Sequence, residues 1–512
     1  MTDECLYSVL DDPLFQVTTS DRAQAEHTLP EILAGLASGS VVSFDGLQFH
    51  QRQAWHAFLV QLATMALARC GEVNLKSVAS DWRELLLSLT GGEIAPWCMV
   101  VDDVSKPAFL QSPIPEGSLT GGRYKDDVVT PDDIDILGTA KNHDVKRHRI
   151  SAPRVEHWVY ALVTLQTLEG FLGQGNYGIS RMNGGFGNRP MIGLSPSLVA
   201  ASRFSRDVDV LIRARRRLAE FFSYDLDGHA LLWLLPWDGA KSSGLPREQC
   251  DPLFIEICRR LRFTQEGEQL RCFRANTKGS RISMTNAEKG AIGDPWTPID
   301  SADLKALTVS DRGFTYRMLH RVLFTGDYTR PPSLEVTHLE ASGAWVTATT
   351  LVRGQGKTGG WHHRDVPFPA QAIRLFGSPT ERDVLGIRAQ NQVEWAAHVR
   401  KRALFRALQS LLNGGTDEKV DAARTEKWLQ GYEAAVNDAF FPMLWTGLPQ
   451  PLEEASRTWK HTLLGLARTQ LNNAIRGTPI ASIQRYRAVS AAESRFNYAA
   501  QIIEDTSLST EA

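Results

Sequence analysis

Residues 171–190 read FLGQGNYGISRMNGGFGNRP, and six of these residues are glycine. Gly173, Gly175 and Gly178 have the GxGxxG spacing of a dinucleotide-binding fingerprint, in which the first glycine follows a strand and the last begins a helix that holds a pyrophosphate. Here a helical pattern precedes Gly173, and the segment after Gly178 is too rich in glycine, and too close to Pro190, to begin a stable helix. The order of elements therefore argues against a nicotinamide or flavin enzyme.

A glycine-rich segment can also bring bare backbone close to a ligand, because glycine has no Cβ atom. Between Lys141 and Arg217 the sequence has thirteen Lys or Arg against five Asp or Glu, although the formal net charge of the whole chain is −2. Basic side chains beside such a segment suit a polyanion, since each neutralised phosphate releases counterions. The alternative is a solvated basic face beside an ordinary loop.

The sequence before the glycines indicates a mixture of helices and strands. Apolar residues at helical spacing predict a helix over Val155 to Leu168. The first hundred residues predict two helices, in TLPEILAGLAS and QRQAWHAFLVQLATMALARC, with a strand in VVSFDGLQF between them. Residues 107–153 are polar and irregular, and we expect them to form a long exposed connection.

The sequence after the glycines changes character near residue 380. From about 226 to 375, strand-like runs such as AWVTATTLV alternate with glycine and proline turns. Four amphipathic helical patterns then follow, in QVEWAAHVRKRALFRALQSLL, EKWLQGYEAAVNDAFFPMLW, ASRTWKHTLLGLARTQLNNAI and SIQRYRAVSAAESRFNYAAQII. We predict an α+β protein: a large mixed N-terminal domain, residues 1–380, followed by a C-terminal four-helix bundle, residues 381–512.

Composition limits the class of protein. A chain of 512 residues with 43% hydrophobic residues is expected to fold as two or three domains. Since it has no run of about 18 uncharged apolar residues and no basic segment at its N-terminus, we expect a cytoplasmic protein outside the membrane. The cysteines have no CxxC or zinc-ligand spacing, so we expect reduced and mostly buried thiols at positions 5, 70, 98, 250, 258 and 272.

Several short motifs occur together in one order along the chain. They are TLPEILAGL, FHQRQAWHAFLVQLA, AFLQSPIP, VVTPDDIDIL, GQGNYGISRMNGGFGNRP and IGDPWTP, and the terminal helical patterns follow them. In this order and domain plan the chain resembles the large subunit of the type I-E CRISPR Cascade surveillance complex, the CasA family. The resemblance runs through most of the chain.

The resemblance implies a non-enzymatic role in an antiviral ribonucleoprotein complex. Such subunits bind double-stranded DNA beside the target and recognise the protospacer-adjacent motif mainly from the minor groove. They then promote unwinding and R-loop formation, and they help to recruit a separate helicase-nuclease in trans. The implied partners are crRNA, the other Cascade subunits and the target duplex. No cofactor and no metal are implied, and this chain lacks the paired central cysteines of some members.

The resemblance also assigns roles to single residues. The family's glycine loop corresponds to Gly175, Asn176, Tyr177 and Gly178, and its lysine finger to Lys289. On this basis Gly178→Asp and Lys289→Ala are each expected to weaken target binding with the fold intact.

A second set of residues corresponds to the family's duplex wedge and to its guide-RNA loop. The wedge glutamine corresponds to Gln355, at the tip of a predicted hairpin where Arg353 and Lys357 would contact phosphates. The loop that contacts guide RNA and neighbouring subunits corresponds to residues 139–154, with Asn142 and His143 as candidates.

Two other functions stay open at this point. A generic RNA- or DNA-binding scaffold protein would also use glycine and basic residues. A metal-dependent nuclease is suggested by the neighbours His362, His363 and Asp365, but closeness in sequence alone does not bring ligands around one metal.

Overall fold

The computed structural model describes residues 5–137, 150, 152–183, 189–284, 288–354, 357–416 and 421–506, with backbone alone at 126, 127, 354, 357 and 358. Its helices are α1 Leu29–Ser38, α2 Arg52–Arg69, α3 Ala79–Ser88, α4 Val155–Leu168, α5 Ala200–Phe222, α6 Tyr316–Phe324, α7 Ala370–Gly377, α8 Pro379–Val399, α9 Arg406–Leu412, α10 Glu426–Thr446, α11 Leu452–Gly477 and α12 Ser482–Asp505. Its strands are β1 Cys5–Ser8, β2 Phe15–Thr19, β3 Gln24–His27, β4 Val41–Phe44, β5 Cys98–Val101, β6 Lys125–Val128, β7 Met191–Ser195, β8 His229–Leu231, β9 Cys250–Ile255, β10 Arg260–Glu266, β11 Gln269–Ala275, β12 Ile299–Asp300, β13 Lys305–Ala306, β14 Tyr328–Thr329, β15 Gly343–Gly354 and β16 Lys357–Pro369. The predicted α+β class is confirmed.

The chain falls into two compact units. The first unit comprises residues 1–314 and 327–367, and the second comprises residues 315–326 and 368–512. The second unit is therefore discontinuous in sequence, because α6 belongs to it. The sequence-based division at residue 380 is later in the chain and assigns α6 to the other unit.

Helix α2 is the centre of the first unit. Fourteen of its residues are buried, including the polar Gln53, Gln61 and Thr64. It packs against α4 and α5, so it has no face left for solvent. Helix α1 begins at Thr28, whose hydroxyl accepts the Glu31 N–H while the Glu31 carboxylate accepts the Thr28 N–H. Both helices were predicted from their apolar spacing.

Small sheets surround these helices. The antiparallel sheets have the strand orders β3-β2-β4, β10-β11-β6, β13-β12-β14, β16-β15-β7 and β1-β5, and β8 pairs with β9 in parallel. In one sheet, β15 pairs with β7 so that Trp345 lies opposite Ser195 and Thr349 opposite Met191. This pairing joins the predicted hairpin strand to the strand that follows the glycine-rich segment.

The prediction that residues 107–153 form an exposed connection is wrong at its beginning. Ala108, Phe109 and Leu110 are fully buried, and Ile114 is buried with them. Gln111 explains the burial of this irregular backbone, because its amide nitrogen donates to the carbonyl of Met99 and its oxygen accepts a backbone N–H from a neighbouring strand. The side chain thus replaces the hydrogen bonds that regular structure would supply.

The second unit contains the predicted helical bundle. Helix α8, the π-helical turn Arg400–Phe405 and α9 form one continuous helical stretch. Helix α11 packs against α8 and α10, and α12 packs against α9. Trp459 is fully buried and donates from its indole nitrogen to the Gln392 carbonyl at 2.9 Å. Helix α6 adds a further layer against α8.

Two expectations drawn from composition have different outcomes. The structure has a disulfide between Cys5 and Cys98, so the expectation of reduced thiols is wrong for this pair. Cys250, Cys258 and Cys272 are outside this disulfide and buried, as expected, whereas Cys70 is outside it and exposed. Within the described ranges, no helix combines the length and the apolar character that crossing a bilayer requires.

Candidate nucleic-acid interface

The glycine loop begins where α4 ends. Its tip is closed by two backbone hydrogen bonds, from the Leu172 N–H to the Asn176 carbonyl and from the Asn176 N–H to the Gly173 carbonyl, both 3.0 Å. Gly173 and Gly175 have φ angles of 118° and 91°, which residues other than glycine rarely adopt. These two positions therefore require glycine for a tight turn, and in the described part of the chain the next regular element after the loop is strand β7.

Gly178 has a packing role within the loop, and its predicted contact with DNA stays a prediction. A Cβ atom at this position would lie 2.3 Å from the Gly170 carbonyl carbon, because the two limbs of the loop cross backbone against backbone. Gly178→Asp would therefore distort the loop itself. The expectation that this change leaves the fold intact is wrong at the level of the loop.

A buried arginine holds the limbs together. The Arg259 guanidinium donates to the carbonyls of Gly170, at 3.0 Å, and Tyr177. The Thr277 N–H donates to the Gly175 carbonyl at 3.0 Å, which fixes the tip from the other side. Gln174 and Asn176 remain exposed at the tip, and Tyr177 is half-buried with its ring 5.6 Å from that of Phe171.

A buried carboxylate anchors the end of the loop. Glu256 accepts the Ser180 N–H at 2.9 Å and the Ser180 hydroxyl at 2.7 Å. Burial raises the pKa of Glu256 to about 7, and the Ser180 donors and the nearby Arg181 charge oppose that shift. Arg181 itself donates to the Phe254 carbonyl at 3.0 Å and lies over the Phe254 ring.

Lys289 lies beside the end of the same loop. Its side chain is exposed, and its φ of 42° places it in a tight turn. A Cβ atom at the next residue, Gly290, would lie 2.4 Å from the Met182 carbonyl carbon, so the turn and the loop are in direct backbone contact. Further along, Asp294 pairs with Arg189 at 2.6 Å. The predicted lysine finger thus adjoins the predicted glycine loop.

The stem of the hairpin formed by β15 and β16 meets the beginning of the loop. Arg353 is 8% exposed, and its guanidinium pairs with the Glu169 carboxylate at 3.0 and 3.1 Å. Burial raises the pKa of Glu169, and the charges of Arg353 and Arg259 oppose that shift. Because Arg353 is buried against a carboxylate of its own chain, it is not presented to solvent as the predicted phosphate contact requires.

For the other candidate residues, the structure describes either the backbone alone or no atoms. Lys357 belongs to β16 by its backbone, and its side chain lies outside the described atoms. Gln355, Asn142 and His143 lie outside the described residues. Their predicted roles stay predictions.

Much of the basic excess between residues 141 and 217 is internal. Arg206 is fully buried and pairs with Glu340 and Asp207, at 2.6 and 2.8 Å. Arg215 pairs with the buried Asp251 at 2.6 Å, as Arg189 does with Asp294. These guanidinium groups stabilise the fold and are not part of an exposed basic face.

The motif HHRD does not bring its three candidate ligands together. His363 pairs with Asp365 at 2.8 Å, whereas the His362 ring lies 3.2 Å from the Gly359 carbonyl. Among the residues that the structure describes, no three His, Cys, Asp or Glu side chains are grouped as metal ligands would be.

Sequence reasoning missed the residues that hold the loop in place. Arg259, Glu256 and Thr277 follow the loop by some eighty to one hundred positions, and only the fold brings them to it. One signal was present: Glu256 interrupts the apolar run LFIEIC, and a charged residue in a buried strand needs a partner.

Solved structures of known proteins share this fold along nearly the whole chain. Thermus thermophilus CasA (Cse1) matches with a TM-score of 0.66 at 14% identity, over 98% of this chain and 100% of that one. Cse1 from Acidimicrobium ferrooxidans matches with a TM-score of 0.65 at 14% identity, over 98% and 99%. A chain of a CRISPR RNA-guided surveillance complex matches with a TM-score of 0.53 at 11% identity, over 97% and 100%. No protein-family model and no curated protein matches the sequence. The predicted resemblance is confirmed at the level of the fold.

Proposed function

We propose that this chain, which has the fold of the Cse1 proteins, is the large subunit of a CRISPR RNA-guided surveillance complex and recognises a short motif in duplex DNA beside the target. The observation that carries the proposal is the meeting of three elements on one fold. The glycine loop contacts the Lys289 turn through Met182 and Gly290, and it contacts the hairpin stem through the pairing of Glu169 with Arg353.

The three elements would act on the duplex in different ways. The closed tip of the glycine loop presents backbone and the exposed Asn176, which suits the narrow minor groove. Lys289, in the turn that contacts the end of the loop, supplies a positive charge for a groove acceptor or a phosphate. The hairpin that carries Gln355 would disturb the first base pairs, so that guide RNA can pair with the opened strand.

With this division of work, the chain itself does not have to catalyse a reaction. Base pairing with the guide reads most of the target sequence, and the protein reads only the short duplex element. Cleavage would then belong to a helicase-nuclease that the assembled complex recruits. The guide RNA and the other subunits of the complex are the remaining partners.

Binding of a randomised duplex tests the proposal. The chain is assembled with its guide RNA and partner subunits, and the complex selects from duplexes that carry a matched target beside randomised bases. We expect enrichment of a short motif, and weaker binding of that motif by Lys289→Ala. Gln355→Ala should impair strand opening, read by a base-unstacking fluorophore, more than initial docking.

The alternatives give different results in the same experiment. A generic scaffold protein would bind all duplexes alike, and enrichment of no motif would overturn the proposal. A metal-dependent nuclease would cut plasmid DNA when the purified chain is mixed with a divalent metal.

A further inference from the structure

Leu304 combines two unfavourable features on the surface of the first unit. Its side chain is 64% exposed, and its φ of 47° lies in the left-handed region. An exposed leucine leaves apolar surface in water, and a branched L residue at this φ brings its Cβ close to backbone. Glycine would remove both penalties, so the free chain gives no reason for leucine at this position.

The turn that carries Leu304 is well anchored. It joins β12 to β13, in which Ile299 lies opposite Ala306 and Asp300 opposite Lys305. One carboxylate oxygen of Asp300 accepts the N–H groups of Ala302, at 3.1 Å, and Asp303, at 3.0 Å. The left-handed residue is therefore part of a hydrogen-bonded turn and not of a frayed end.

The same turn lies beside Lys289. The Ala306 N–H donates to the Lys289 carbonyl at 3.0 Å. Lys305 pairs with the Asp303 carboxylate and lowers its pKa, and the charge of Lys289 lowers it further. Both carboxylates of the turn are thus engaged within it, and an exposed leucine and an exposed lysine, each with left-handed backbone, are neighbours.

We infer that Leu304 is an apolar wedge that enters duplex DNA next to the groove contact made by Lys289. This inference rests on the proposed function. It adds a residue whose binding depends on how easily the duplex can be deformed. Apolar side chains inserted between base steps partly unstack them and bend the duplex, and an adjacent cation can hold the nearby phosphates. Burial against bases would remove the apolar surface that Leu304 exposes in the free chain.

Leu304→Gly separates binding from stability. In the complex assembled with guide RNA, we expect the affinity for the selected motif duplex to fall roughly tenfold, the equivalent of losing one buried leucine. The unfolding temperature of the variant chain should stay level or rise, by up to about 3 °C, because the backbone strain is relieved. If Leu304 instead stabilised the folded chain, the substitution would lower both the affinity for the duplex and the unfolding temperature.

Leu198→Ala is the matched control. Leu198 is 53% exposed in the same unit and lies between β7 and α5, outside the glycine loop, the Lys289 turn and the hairpin, so its truncation should leave DNA affinity unchanged. Incorporation of each variant into the complex is measured alongside, by the ratio of subunits after size-exclusion chromatography.

The outcomes distinguish this inference from the proposed function. If the wild-type complex selects no motif, the proposed function fails first. If the wild-type complex selects a motif and Lys289→Ala weakens its binding while Leu304→Gly does not, only the wedge is overturned. It is also overturned if Leu304→Gly lowers the unfolding temperature, or reduces incorporation at unchanged DNA affinity, which would mark Leu304 as a core or a protein contact.

Discussion

Gly178 lies where the two limbs of the glycine loop cross, and a Cβ atom at this position would lie only 2.3 Å from the Gly170 carbonyl carbon. Gly178→Ala should force the limbs apart, at a cost of about 1–3 kcal/mol. The Ile179 N–H, which donates to the Glu169 carbonyl at 3.0 Å, should then lose protection from hydrogen exchange. Gln174→Ala, at the exposed tip, is the control, and equal protection of Ile179 in both variants would contradict the close packing.

Glu256 makes loop anchoring depend on pH. Burial disfavours the carboxylate and raises its pKa in the folded state from the ordinary 4.5 to about 7. The folded protein therefore holds a proton that the unfolded chain releases, and this contribution to stability is complete below about pH 4.5 and is lost as pH rises through about 7.

Glu256→Gln should remove that dependence, because an amide does not ionise. We expect the free energy of unfolding of the variant, relative to the wild type, to increase between pH 5 and pH 8, as measured by urea titration. Glu268→Gln makes the same change at an exposed position and is the control. Parallel curves for Glu256→Gln and the wild type would show that the carboxyl does not titrate in this range.

Single residues also show where sequence reasoning ends. The special backbone at Gly173 and Gly175 was predictable, since glycine spacing reports local conformation. The pairing of Arg353 with Glu169 was not, because the two residues are far apart in sequence and an arginine beside a hairpin tip suits a phosphate equally well. The residue type determines the charge of a side chain, but only the fold determines its ion-pair partner.

Elements with a regular apolar period were predicted well. Helix α4 occupies Val155–Leu168, the range that its apolar stripe indicated, and the four C-terminal helical patterns are all helical. Short strands and irregular buried segments were predicted less well. Residues 108–114, for example, are stabilised by hydrogen bonds of the Gln111 side chain and have no regular apolar spacing. Periodicity reports burial only where the backbone is itself periodic.

Helix α6 supplies a large part of the aromatic packing in the second unit. The Phe324 ring lies 6.2 Å from that of Phe368, 6.2 Å from that of Phe376 and 6.4 Å from that of Trp445. Phe324→Ala should lower the free energy of unfolding by about 3–5 kcal/mol, since it removes a buried ring and leaves a cavity.

Ile387→Ala on α8 is the control for this truncation. Ile387 is 56% exposed in the same unit, so its loss should change the free energy of unfolding by less than about 0.5 kcal/mol. Urea unfolding followed by circular dichroism measures both variants. Similar values for the two would mean that α6 contributes little to this unit.

At the scale of the whole molecule, the second unit needs a segment from elsewhere in the chain. A fragment of residues 368–512 lacks α6, so the apolar surface that α6 covers should be open to solvent. We expect that fragment to bind a hydrophobic dye and to self-associate, and a fusion of residues 315–326 to it through a flexible linker should be monomeric. Size-exclusion chromatography with dye fluorescence compares the two, and identical behaviour would contradict the assignment of α6.

Length alone indicated two or three domains, and it gave no sign that one compact unit would be discontinuous in sequence. The helical patterns after residue 380 indicate a separate bundle, whereas nothing in the sequence of α6 distinguishes it from the helices of the first unit. Its amphipathic pattern indicates that one face of the helix must be buried. The pattern does not indicate which element buries that face.

This discontinuity has a consequence for synthesis on the ribosome. Helix α6 ends at Phe324, and α8, against which it packs, begins only at Pro379. Because translation adds about 5–20 residues per second, the nascent helix emerges several seconds before the surface that will cover it. Throughout that interval its apolar side is open to chaperones and to neighbouring nascent chains, so the yield of folded protein should depend on the speed of elongation between these two helices.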